Sequence, residues 1–116
     1  MAAPAQSPAL VLVHTTVSTQ PDADRLAQAA VTQRLAACVQ VEAIHSTYVW
    51  QGAVQQEAEL RLLFKTTADR YLALEALIQS LHPYELPAIW ATPVTQASTA
   101  YAQWVADSTR AAAGGG

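Results

Sequence analysis

The sequence predicts an α+β domain, one antiparallel sheet with helices packed against it. Four stretches carry strand patterns and three carry helical spacing. Their order along the chain is strand, helix, strand, strand, helix, strand, helix. A Gln51-Gly52 pair between the second and third strands marks a tight hairpin.

The run Leu10-Val11-Leu12-Val13-His14-Thr15-Thr16 is continuously apolar and β-branched, as in a central strand buried on both faces. Ser18 to Asp24 supplies turn and N-cap chemistry, with Pro21 and Asp22 at a helix start. Ala23, Leu26, Ala27, Ala30, Val31 and Leu35 then recur at helical spacing, so the first helix is expected over 22–36. The second strand runs from Val39 to Trp50, with Val39, Val41 and Ala43 on one face. The third is expected over 58–66, where Leu60, Leu62 and Phe64 alternate with Glu59, Arg61, Leu63 and Lys65. This hairpin is long for so small a domain.

Thr67 or Ala68 opens the second helix, whose stripe is Tyr71, Leu74, Ile78 and Leu81, joined by Leu77. A proline-flanked loop, His82-Pro83-Tyr84-Glu85-Leu86-Pro87, ends it. Ala88 to Val94 reads as the fourth strand, and Pro93 places it at an edge. Ser98 can cap a last helix with Tyr101, Trp104 and Val105 facing inward. The first six elements make the split, ferredoxin-like βαββαβ pattern. Right-handed crossovers put the first and third strands at its centre.

A chain of 116 residues is one domain by size. The ordered part is expected over 9–110, with disordered tails at 1–8 and 111–116. Only 13% of residues are charged and 52% are hydrophobic, a balance that points to subunit interfaces. A net charge of −3 gives no basic footprint and argues against nucleic acid as a partner. One cysteine leaves no internal disulfide and suits a reducing compartment. Ala9 to Val13 is too short to span a membrane and lacks a signal peptide's basic flank. A soluble, cytoplasmic protein is expected.

The stiff loop holds a histidine, a tyrosine and a glutamate over the scaffold, where functional groups are often carried. The topology brings the end of the first strand to the same edge as the end of the second helix. His14 and His82 are therefore expected near one another, with Glu85 as an oxygen donor, a set suited to zinc or copper. Cys38 is an alternative soft ligand, but it belongs at the opposite edge. The competing readings are a strand histidine satisfied by a backbone group, a loop histidine capping helix carbonyls, and a small buried thiol. Lys65 is half-buried on an apolar strand and needs a partner across strands, across subunits or in an anionic ligand. Tyr48, Trp50, Lys65 and Tyr84 together can line an intersubunit cleft; plain subunit-interface packing accounts equally for the aromatics. No nucleophile elbow, Walker loop, CxxC pair or HExxH is present, so no enzyme activity is expected.

Six blocks, in order, resemble the CutA divalent-cation tolerance proteins. They are Arg34-Leu35-Ala36-Ala37-Cys38-Val39, Tyr48-Val49-Trp50-Gln51-Gly52, Glu57-Ala58-Glu59, Phe64-Lys65-Thr66, the loop from His82 to Pro87, and Tyr101 with Trp104. The resemblance implies a homotrimer of ferredoxin-like subunits whose long hairpins pair between subunits. It also implies a link to copper and other divalent cations. The positions matching the family's suggested copper ligands hold Thr15, Leu81 and His82 here. Two functions fit these residues: a trimer that binds a divalent metal or small ligand in a homeostatic or regulatory role, and a scaffolding trimer that docks a partner protein without metal chemistry.

Overall fold

The structure is a computed structural model and describes residues 8–110. All but Pro8 of the two expected tails lies outside those residues. The elements are β1 (Leu10–Val17), α1 (Gln20–Thr32), β2 (Cys38–Trp50), β3 (Ala53–Thr67), a 3-10 turn (Ala68–Arg70), α2 (Tyr71–Leu81), β4 (Trp90–Val94) and α3 (Thr99–Ser108). All strand pairs are antiparallel, and the sheet order is β2-β3-β1-β4. β1 and β3 are central, as the ferredoxin-like pattern requires.

Period-two alternation divides the sheet into two faces. Val13, Val17, Leu62 and Phe64 point to one side and meet Leu26 and Ala30 of α1 and Leu74 and Ile78 of α2. All eight are fully buried, which makes this layer the main core. On the other side a small cluster, Leu10 with Ala102 and Val105, holds α3 over one end of the sheet. α3 therefore turns Ala102 and Val105 inward, while Tyr101 and Trp104 are 38% and 48% exposed. This corrects the inward placement expected for those aromatics: the helix buries its small residues to approach the sheet closely, and the rings fall on its flank.

α1 starts where Thr19 accepts a bond from the Asp22 N–H at 3.2 Å, with Pro21 in the first turn. It ends at Thr32, four residues earlier than expected. Arg34 adopts a left-handed conformation (φ 61°), its N–H bonds the Val31 carbonyl, and the Leu35 N–H bonds the Ala30 carbonyl at 2.8 Å. This is a Schellman cap built on arginine instead of glycine. Leu35 and Ala36 still reach the core, which explains why helical periodicity ran past the true end. Val31, counted in the same stripe, is 45% exposed.

β3 begins at Ala53, five residues before the expected strand, and β4 begins at Trp90, two residues later than expected. Gln51 and Gly52 both have positive φ (52° and 81°), as a two-residue type I′ hairpin demands, and Trp50 pairs with Ala53 across them. β1 pairs with β3 only from Leu60 to Thr67. The outer half of the β2–β3 hairpin is thus a two-stranded arm without a third strand. It stretches the chain to 62 × 32 × 20 Å, with a radius of gyration of 16.1 Å against roughly 13 Å for a compact chain of this length. Val49 and Val54 near the arm's tip are 66% and 68% exposed.

Candidate functional site

The proline-flanked loop starts at His82, which leaves the helix in an extended conformation (φ −73°, ψ 134°), as a residue before proline should. Its ring joins two parts of the fold. Nδ1 accepts the Tyr84 backbone N–H at 3.1 Å, and Nε2 lies 2.8 Å from the Thr16 carbonyl. Since Nδ1 accepts, the ring proton sits on Nε2 and donates to Thr16. Both ring nitrogens are engaged, so this histidine offers no lone pair to a metal. Its ring does not cap the carbonyls of α2 but reaches β1; the cap is its backbone N–H, which donates to the Ile78 carbonyl at 2.8 Å.

Tyr84 continues the chain of contacts. Its hydroxyl donates to Glu59 Oε2 at 2.6 Å, and its ring meets His82 edge-on at 4.8 Å. Burial first, then the Glu59 bond, pushes the Tyr84 phenol far above its ordinary value. Glu59 is only 8% exposed. Alternation along β2 and β3 puts Glu57 and Glu59 on the same face as Tyr48 and Trp50. With Tyr84 and Glu85 these residues line a cleft of about 410 Å³ at the base of the arm. The role of Glu57 and Glu59 was not singled out from sequence, although the alternation that carries them there was visible.

His14 is held elsewhere. Its ring stacks on Trp90 at 3.9 Å with a 4° interplanar angle, and Nε2 is 3.2 Å from the Thr92 hydroxyl. Nδ1 is buried without a partner. The expected set of His14, His82 and Glu85 does not form within the subunit, because β4 claims one ring and the Thr16 carbonyl claims the other. Cys38 lies at the far end of the sheet, opposite Lys65, and is half-buried. The third histidine, His45, is exposed on β2. Among the described residues no three His, Cys, Asp or Glu side chains gather as metal ligands. The histidines and the cysteine of one chain therefore do not meet as a metal centre.

Lys65 is also apart from Tyr48, Trp50 and Tyr84. It lies beside a second cavity of about 360 Å³ with Leu10 and Val94, and its ammonium is 5.8 Å from the Tyr101 ring. Within the chain it does not join the three aromatics with which it was grouped.

Burial lowers the pKa of both His14 and His82 below 6.5; nearby Arg61 adds to the effect at His14, while the Thr16 bond opposes it at His82. A folded pKa below the unfolded one means that the unfolded chain binds more protons as pH falls. The stability these rings contribute is complete above pH 6.5 and is lost as pH falls through the folded values. A protonated His82 would also turn Nδ1 from acceptor to donor against the Tyr84 N–H. The melting midpoint should fall between about pH 7 and about pH 5, and His82→Gln should flatten that fall. A midpoint that drops as steeply in the variant would show that His82 is not responsible.

Residues 11–108 match the family described as CutA1 divalent ion tolerance protein. The divalent-cation tolerance protein CutA of Thermus thermophilus is 40% identical over 95 residues, covering 81% of this chain and 92% of that one. Human protein CutA is 39% identical over 84 residues, covering 72% of this chain, which spans 47% of the human protein. The solved structure of CutA from Synechococcus elongatus superposes with a TM-score of 0.86 at 43% identity, covering 91% of this chain and 95% of that one. The fold, the blocks along the chain and these likenesses agree, and the chain belongs to the CutA1 divalent ion tolerance family.

Proposed function

We propose that the protein is a homotrimeric, non-enzymatic member of divalent-cation homeostasis, with the Tyr84–Glu59 cleft at the arm's base as its binding site. Glu59 carries this reading. A carboxylate so deeply buried, beside two further carboxylates and three aromatic rings, is costly unless something positive answers it. The arm supports the trimer: an exposed two-stranded extension with bare edges and apolar tips is a surface for pairing with other copies. No helix among the described residues is long and apolar enough to cross a membrane. The single thiol and the paucity of charge fit a cytoplasmic assembly.

Copper, zinc or another divalent cation would meet carboxylate oxygens here, not imidazoles, so binding is weak in one subunit. Light scattering should give three times the 12.4 kDa chain mass. Titration of the purified trimer with copper(II) or zinc(II) against a chelator should show a site weaker than about micromolar, reduced further by Glu59→Gln and unaffected by Cys38→Ser. Total absence of binding would favour the scaffolding reading. A tight site lost in Cys38→Ser would place the metal at the other end of the sheet and overturn the cleft.

A further inference from the structure

Of the charged side chains of β3, two that are not exposed, Glu59 and Lys65, lack a counter-charge within the chain. Glu59 is 8% exposed, and Tyr84 satisfies only its Oε2. Its partner across β2 is Ile44, and β1 offers none because its pairing ends at Leu60. Arg61, two residues along the same face, is bound to Glu42 at 2.9 Å. Lys65 stands at the inner end of that face, between Leu12 and Cys38 on the neighbouring strands. Among the described residues it makes no ion pair, and its ammonium lies 5.8 Å from the centre of the Tyr101 ring.

Six residues of extended chain separate the two by about 20 Å, so they cannot meet within one subunit. Each borders its own cavity, of about 410 Å³ at Glu59 and about 360 Å³ at Lys65. A buried carboxylate and a half-buried ammonium each carry a desolvation cost that the other would offset. Two copies of the chain therefore present complementary ends, acid on one and base on the next. Contacts between unlike ends close into a ring when the rotation allows.

We propose that Lys65 of each subunit enters the cleft of the next and pairs with Glu59, taking the oxygen that Tyr84 leaves free. This rests on the trimeric reading above and deepens it: each binding cleft is then built from two chains, and a divalent cation reaches Glu59 only in competition with the Lys65 ammonium. The long aliphatic stem of lysine suits a passage lined by Tyr48 and Trp50, with the charged head at the carboxylate.

Charge exchange tests it. Glu59→Lys and Lys65→Glu should each raise the concentration at which the trimer dissociates by roughly a hundredfold or more. The double exchange should return it to within about tenfold of wild type, because its two charges meet only between chains. If the reversals prevent folding, Glu59→Gln and Lys65→Met supply a milder cycle, in which the double variant should assemble better than either single one. Trimers indifferent to both single changes, or a double variant no better than the worse single, would overturn the pairing. A wild-type chain that scatters as a monomer would instead overturn the trimeric reading on which the pairing rests.

Discussion

Phe64→Ala should destabilise the protein by about 3–5 kcal/mol. Phe64 is among the largest fully buried side chains and sits on a central strand, opposite Val13 on β1 and Val39 on β2. It belongs to the layer that joins α1 and α2 to the sheet, so no single element can shift to refill the space. Against a typical total of about 5–15 kcal/mol the loss is a large fraction. Urea unfolding of both proteins at one fixed concentration measures it, since assembly otherwise adds its own concentration dependence. A change under about 1 kcal/mol would mean that the core collapses around the missing ring.

Removing the arm should abolish assembly and leave the domain folded. β1 needs β3 only from Leu60 inward, so residues 47–56 add nothing to the four-stranded core. Ser46 and Glu57 are already paired, in the same phase of the ladder as Trp50 and Ala53, so an Asn-Gly turn between them would close the shortened hairpin. Light scattering should then report a monomer, and circular dichroism should keep the helical signal. The melting midpoint should drop from above the mesophilic range into it, about 45–65 °C, because the stability added by association is gone. A shortened chain that still scatters as a trimer would locate the interface on the open sheet face instead.

Most of the fold was legible because local rules and global architecture agree along this chain. The alternation Leu60, Leu62, Phe64 and the spacing of Leu74 and Ile78 named the two layers of the core. Where the reading slipped, the cause was particular. Arg34 occupies a left-handed position that usually advertises itself by glycine. Tyr101 and Trp104 are large and apolar, yet the close approach of α3 required Ala102. The candidate site was harder. His82 was visible as a loop histidine, but its role depends on a carbonyl 66 residues away. Glu59 stood out only as one member of an alternating strand and of the Glu57-Ala58-Glu59 block, because burial by Tyr84 is a tertiary event that strand periodicity does not report.

The two-residue turn at Gln51-Gly52 also bears on the order in which the chain acquires its shape. Every β2–β3 pairing is reached by zipping outward from that turn, so each new rung closes a small loop at little entropic cost. The β1–β4 pairing is the opposite case, since Leu10 and Val94 are paired across a separation of 84 positions in the chain. Structure should therefore form from the arm inward, and the short edge strand beside His14 and Trp90 should be the last to dock and the first to loosen.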